Sequence, residues 1–300
     1  MQAGKAAGTR EKEKRPYRQK KEKKEKQAVI ARACTKETAK ALEELYEKYN
    51  RREFVHPDPL EFLFDYDEAA DREIVALVAS SLAYGRVAQI LKSISRVLER
   101  MPSPREFLEK ASHAALKKTF KGFKHRFTTG GEIAALLYGA GKAIGAYGSL
   151  HECFTAAVGS DSKNIFSALS VFTKELISPA GCGYNSLLPR PDAGSACKRL
   201  NLFLRWMVRR DGVDPGGWDR VSPSMLVVPL DTHMHRIGRA LGLTKRKQAG
   251  MKTAIEITEA LGKINPDDPV KYDFALTRLG IRDDTDMNRF LAQCGIAEAR

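Results

Sequence analysis

Residues 230–243 read LDTHMHRIGRALGL, a segment that places a carboxylate directly before a helical apolar pattern. Asp231 precedes a run in which apolar residues recur every three or four positions, which is the spacing of one helical face. An aspartate directly before such a run is a favoured helix N-cap, and a glycine such as Gly242 is a typical helix end. We therefore predict a helix over Thr232–Leu241 that begins at the carboxylate of Asp231.

The same helical periodicity runs through the rest of the chain. It predicts about ten helices, among them a strongly apolar one over Ile74–Leu82 and an amphipathic one over Ala196–Arg209, opened by Gly194 or Ser195. No segment shows the alternation of a strand, and no repeat of fixed period occurs. We therefore predict a single all-α domain over residues 34–300.

The 300 residues carry a formal net charge of +14, and residues 1–26 hold half of it, with eleven basic residues against four acidic ones. This segment has too few apolar residues to fold alone, so we predict that residues 1–33 are a disordered basic tail. The charge predicts attraction to a polyanion such as nucleic acid.

The same composition excludes other classes of protein. No apolar run is long enough to span a membrane, and the five scattered cysteines fit a reducing compartment rather than a disulfide framework. We expect a cytoplasmic protein with no membrane contact, associated with the nucleoid if its source is bacterial.

Basic residues at helix starts are candidates for contact with a phosphodiester. Gly194 and Ser195 would leave backbone N–H groups free to hold a phosphate, with Lys198 and Arg199 one turn further in. A second basic stretch, Lys117–Arg126, interleaves aromatic residues at positions 120, 123 and 127. These aromatics fit either one core-facing side of a helix or a nucleic-acid surface.

The stretch 230–243 resembles the V-D-T-H-V-x-R-V-x-x-R-L-G-L segment of the helix-hairpin-helix DNA glycosylase superfamily. Ile74–Ile90 resembles that superfamily's early buried helix and the DNA-inserting turn after it, and Leu187–Arg209 stands in the place of the helix-hairpin-helix. The segments 197–207 and 268–276 resemble a bacterial family of uncharacterised proteins that shares the glycosylase-like core. The resemblance covers roughly residues 36–281.

The sequence departs from the superfamily pattern at the hairpin, where residues 188–195 lack the first glycine of L-P-G-x-G. Lys198 and Asp231 are 33 positions apart, which is closer to the spacing of the archaeal 8-oxoguanine glycosylases. The resemblance implies a fold of two helical lobes with a cleft between them. It also implies excision of a flipped, damaged base, such as an oxidised purine, by a glycosylase with or without lyase activity.

Residue roles follow from that resemblance. Lys198 would attack the sugar carbon C1′ as nucleophile, and Asp231 would be its catalytic carboxylate. The simpler alternatives are that Lys198 only contacts phosphate and that Asp231 is only a structural N-cap. A basic face around the DNA backbone would consist of Arg199, Arg205, Arg209, Arg236 and Arg239.

Tyr84, at the turn after the buried helix, would fill the gap left by an extruded base or else pack against a neighbouring helix. Trp218 is the better candidate for stacking on a base, because Trp206 falls among core positions. His233 and His235 point in different directions on a helix, so we predict no metal site and no cofactor. We expect a monomer that binds DNA or structured RNA; a non-catalytic binding module with the same fold is the alternative function.

Overall fold

The structure is a computed structural model that describes residues 34–159, 164–279, 282 and 285–296. Our prediction for the tail, residues 1–33, lies outside these ranges.

Within the described part of the chain the fold is mostly helical, which confirms the predicted class. The helices are α1 (Lys36–Tyr49), α2 (Ala69–Leu82), α3 (Val87–Leu98), α4 (Pro104–Lys110), α5 (His113–Thr119), α6 (Gly130–Tyr147), α7 (Leu150–Ala156), α8 (Phe166–Ile177), α9 (Lys198–Val208), α10 (Thr232–Ala240), α11 (Met251–Leu261), α12 (Asp273–Arg278) and α13 (Met287–Gln293).

One group of helices surrounds α6, which packs against α4, α5, α7 and α8. A capping box starts α6, in which the side chains of Thr129 and Glu132 satisfy free backbone N–H groups. The close approach of α8 requires a glycine in α6, because a Cβ at Gly139 would lie 1.8 Å from the carbonyl oxygen of Leu176.

A second group brings the two ends of the described chain together: α1 packs against α12 and α13, and α10 also contacts α12. The central pair is α2 and α9, which pack along each other. Every residue of α2 from Glu73 to Leu82 is buried, as its apolar sequence predicts. Phe203 of α9 stacks on Phe172 of α8, and at the far end of α9 Arg205 reaches Asp273 of α12, so α9 contacts both groups.

A small antiparallel sheet departs from the prediction of helices alone. Strands β1 (Lys124–His125) and β2 (Thr128–Thr129) pair with Lys124 opposite Thr129 and His125 opposite Thr128. The turn between them is Arg126 and Phe127, with Arg126 in the left-handed region at a φ of 51°. Two-residue strands are too short to produce an alternation, so the sequence pattern could not indicate them.

The basic aromatic stretch is therefore not one helix, since α5 ends at Thr119. Phe120 and Phe123 are buried in the core, whereas Phe127 is exposed at the hairpin tip. None of the helices built from the described residues has the length and apolar character needed to cross a membrane.

Candidate functional site

Lys198 and Asp231 meet at one cavity. Lys198 is the first residue of α9, and Asp231 is the N-cap of α10. The Nζ atom of Lys198 lies 3.8 Å from Oδ2 of Asp231, and the two side chains are 30% and 39% exposed. Both line a cavity of about 700 Å³. Lys198 and Asp231, which are 33 positions apart and which the sequence analysis predicts as partners, therefore share one site that is open to solvent.

The carboxylate of Asp231 makes two different contacts. Its Oδ1 atom accepts a hydrogen bond from the backbone N–H of Met234 at 2.8 Å, which is the N-cap interaction predicted from the sequence. Its Oδ2 atom faces Lys198. Because the cap holds one oxygen, the direction of the other is fixed by the backbone of α10.

Both apolar and polar side chains line the cavity. Apolar surface comes from Val87, Ile90, Leu202, Trp206, Pro229 and Phe274. Charged side chains come from Asp58, Arg205, Asp273, Arg278 and Arg282, with His56 beside them. A cavity of this size that combines apolar surface with convergent polar groups is typical of sites for small ligands.

Three side chains of the lining each have a buried polar atom that lacks a partner among the described residues. The atoms are Oδ1 of Asp273, Nε1 of Trp206 and Nε of Arg278, and the three side chains are at most 7% exposed. An unpaired buried polar atom is costly, so these atoms mark the part of the lining where a hydrogen-bonding partner is missing among the described residues. The other oxygen of Asp273 accepts from Nη1 of Arg205 at 2.5 Å. Burial raises the pKa of Asp273, while Arg205 opposes that rise.

Sequence reasoning missed Asp273 and assigned Trp206 to the core alone. The available signal was a single carboxylate within the apolar run Val270–Leu279, where an ionised group needs a partner. Trp206 does pack in the core, but its side chain also lines the cavity, and helical spacing does not report that detail.

The predicted basic face is wrong for Arg205 and Arg209. Both guanidinium groups are buried and paired with aspartates: Arg205 with Asp214 and Asp273, and Arg209 with Asp211, Asp214 and Asp268. Burying a cation is costly unless carboxylates compensate for the lost water. These two arginines therefore hold the fold together and present no charge to a DNA backbone.

The predicted helix start at Gly194 or Ser195 is also wrong, because α9 starts at Lys198. Gly194 ends a short 3-10 turn, and its N–H donates to the carbonyl of Pro191 at 3.1 Å. The hydroxyl of Ser195 accepts from the N–H of Cys197. Both residues therefore lie in the loop before α9, and their contact with phosphate remains a prediction.

Arg199 is partly buried and donates to two backbone carbonyls, those of Ser81 at 3.0 Å and Ser186 at 2.6 Å. Its guanidinium also lies over the ring of Tyr84, 5.1 Å from the centroid. It therefore ties α9 to the end of α2, and its contact with phosphate remains a prediction. Arg236 and Arg239 are exposed on α10, and their contact with DNA remains a prediction.

Tyr84 and Trp218 are held by internal contacts. The hydroxyl of Tyr84 donates to the carbonyl of His125 at 3.0 Å and lies 2.7 Å from Oγ1 of Thr128, which favours the packing alternative. Trp218 is buried, and its Nε1 donates to Glu73 at 3.1 Å. Burial raises the pKa of Glu73. Trp218 is therefore a core residue, and the prediction that it stacks on a base is wrong.

Comparison with known proteins identifies a family for the chain. No curated protein and no solved structure matches it. A family model described as "Protein of unknown function (DUF2400)" matches residues 58–282. This match includes Lys198, Asp231 and Asp273, and it covers three quarters of the chain. The chain therefore belongs to the DUF2400 family.

Proposed function

We propose that this protein is a DNA glycosylase that removes a damaged base from a flipped nucleotide, with Lys198 as nucleophile and Asp231 as its acid/base partner. The observation that carries the proposal is the 3.8 Å approach of the Lys198 amine to the Asp231 carboxylate at one cavity. An amine and a carboxylate within reach of one reacting carbon are the groups that this chemistry needs.

The helix-hairpin-helix glycosylase fold is part of the proposal. Its support is the resemblance of residues 230–243 to the superfamily segment, together with the position of that segment at the cavity. In this arrangement α9 brings the nucleophile and α10 brings the carboxylate, and the two helices belong to different parts of the molecule.

The chemistry uses the two side chains in sequence. The amine, having lost one proton to solvent, donates its electron pair to C1′ of the sugar, and the ionised carboxylate of Asp231 stabilises the positive charge that develops there. The bond between C1′ and the base breaks, its electron pair leaves with the base, and a proton from solvent neutralises the base. Asp231 then takes a proton from the attached nitrogen and passes it to O4′ as the bond between C1′ and O4′ breaks. Opening of the sugar ring in this way leaves a protonated Schiff base between Nζ of Lys198 and C1′.

The cavity is the proposed base pocket. Asp273 and Trp206 both line it, and each has one polar atom without a partner among the described residues, an acceptor on Asp273 and a donor on Trp206. A base in the pocket would present N–H and carbonyl or ring-nitrogen groups that complement these two side chains. Damaged purines such as 8-oxoguanine carry both kinds of group. The pocket residues Asp273 and Trp206 thus replace Tyr84 and Trp218, which the sequence favoured.

Borohydride trapping tests the proposal. The full chain is incubated with duplexes containing 8-oxoguanine, other oxidised purines or an abasic site, and hydride reduction converts any Schiff base into a stable protein–DNA adduct. Wild type is expected to form the adduct, and Lys198→Arg is expected to form none, although it keeps the charge. Lys252→Ala, on the exposed start of α11, is the matched control and should trap as wild type does.

Asp231→Asn separates the enzyme from a binding module. The variant should bind the duplex as wild type does but lose base excision by about a thousandfold or more, since it removes the charge that assists the reaction. Binding of DNA by wild type without an adduct or excision on any lesion would support the non-catalytic module instead. Adduct formation by Lys198→Arg at the wild-type rate would overturn the assignment of the nucleophile.

A further inference from the structure

The tip of the β1–β2 hairpin carries the most exposed large apolar side chain in the described part of the chain. Phe127 is 79% exposed, and the guanidinium of Arg126 lies between two rings, 5.5 Å from the centroid of Phe127 and 5.9 Å from that of Tyr84. A single exposed phenylalanine is common on proteins, so its meaning depends on what surrounds it.

Internal hydrogen bonds hold the hairpin against the turn after α2. His125 is buried, with Nδ1 2.9 Å from the hydroxyl of Ser93 and Nε2 3.0 Å from the carbonyl of Tyr84. The hydroxyl of Tyr84 in turn donates to the carbonyl of His125 and lies beside Thr128. These hydrogen bonds hold the hairpin tip in place as it projects from the surface. Binding of a ligand at the tip therefore costs little further conformational entropy.

The hairpin tip lies next to the cavity that contains Lys198. Gly85 lines that cavity, and a Cβ at Gly85 would come within 2.9 Å of Cδ of Arg126. Arg126 therefore packs directly on the wall of the proposed active site. A ligand whose reacting part enters the cavity would place its neighbouring part against Phe127.

The surface around the tip is strongly basic. Residues 110–131 contain no Asp or Glu. The segment 117–126 that leads into the tip has five exposed basic side chains, and among the described residues no ion pair is formed by any of them: Lys117, Lys118, Lys121, Lys124 and Arg126. Such a surface complements a polyanion and is unsuited to a basic or apolar protein partner.

We propose that Phe127 inserts between base pairs of duplex DNA beside the extruded nucleotide, while Arg126 and the surrounding lysines contact the phosphates. This inference rests on the proposed glycosylase function. An apolar wedge compensates for the unstacking of a base step by stacking on the exposed bases. Tyr84 is unsuited to this role because its hydroxyl is bonded within the protein, whereas the Phe127 ring is free on the surface.

The test uses a duplex that cannot react, with a tetrahydrofuran abasic analogue beside 2-aminopurine, whose fluorescence rises when it is unstacked. Wild type is expected to raise the fluorescence on binding. Phe127→Ala should remove most of the rise and weaken binding by about tenfold, and Phe127→Trp should restore both. Tyr147→Ala is the matched control, because Tyr147 is an exposed aromatic at the opposite end of α6, about 25 Å away.

The outcomes separate this inference from the proposed function. Unchanged fluorescence and affinity in Phe127→Ala, with trapping by wild type intact, would overturn the wedge alone. Fluorescence that depends on Phe127, in a protein that traps no lesion, would support the wedge and overturn the enzyme. Equal losses of affinity for single-stranded DNA and duplex would indicate plain stacking on a single strand, and no binding of either would overturn both proposals.

Discussion

The two ends of α9 carry basic side chains with opposite roles. At the start of the helix, Lys198 is partly exposed and faces the carboxylate of Asp231 across 3.8 Å. At the far end, Arg205 and Arg209 are buried among four aspartates that hold them by direct ion pairs. The comparison shows that burial decides what a positive charge can do. A cation inside the protein is neutralised by its partners, whereas one at a rim can act on a ligand.

The largest effect expected from this comparison is on stability. Asp214 is fully buried and contacts both arginines, so Asp214→Ala would leave two buried guanidinium groups undercompensated. We expect the free energy of unfolding to fall by about 3–5 kcal/mol. Lys198→Ala breaks only a partly exposed pair and should cost less than about 1 kcal/mol. Urea denaturation followed by circular dichroism measures both losses, and similar losses in the two variants would contradict the comparison.

A smaller effect is expected at Asp231, where one side chain has a structural and a proposed chemical role. Asp231→Ala removes the N-cap of α10 and should lower the free energy of unfolding by about 1 kcal/mol. Asp231→Asn keeps an oxygen for the Met234 N–H and should lose much less. Both variants should lose base excision equally. Equal stability of the two variants in urea denaturation would show that the cap contributes nothing.

Local patterns predicted several of the helices around the site well. The N-cap at Asp231, the buried helix from Ile74 to Leu82 and the helical run up to Val208 follow from residue type and spacing over a few positions. The role of Arg205 could not be predicted in this way, because one of its partners, Asp273, is 68 positions away in sequence. A basic residue on a helix has the same sequence signature whether carboxylates or phosphates surround it.

The sequence predicted the pair Lys198 and Asp231 of the candidate site, but it did not predict the other residues that line the cavity. Lys198 and Asp231 carry the resemblance and meet in the fold. The lining of the cavity depends on which atoms of Asp273 and Trp206 lack partners, and this is set by packing between α9 and α12. The hairpin that displays Phe127 gave no periodic signal, because each strand contributes two residues.

The smallest expected effect concerns His125, a buried side chain that can lose its charge, unlike the buried arginines Arg205 and Arg209. Burial lowers the pKa of His125, with Arg126 and Arg199 adding to that effect against the hydrogen bond to the Tyr84 carbonyl. Below the ordinary pKa of histidine, 6.5, the unfolded chain therefore binds a proton that the folded chain does not. The free energy of unfolding should fall as pH decreases through this value.

The melting temperature at pH values above and below 6.5 measures this contribution. His125→Gln should show a smaller drop on acidification than wild type, because it removes one group that is protonated only on unfolding. His56→Gln, at an exposed position, is the control and should keep the full drop. A drop of the same size in His125→Gln would show that His125 does not couple stability to pH.

The two carboxylate oxygens of Asp231 make different contacts, and this affects how relatives of this chain can diverge. One oxygen caps α10, so a lineage that abandoned the chemistry would still be constrained at this position to Asp, Asn, Ser or Thr by the helix alone. Lys198 has no such second duty within the described part of the chain, where its amine makes only the partly exposed contact with Asp231. Under the proposed function, a retained aspartate at 231 would therefore be weak evidence of an active relative, and loss of the lysine at 198 would mark relatives that no longer carry out the reaction.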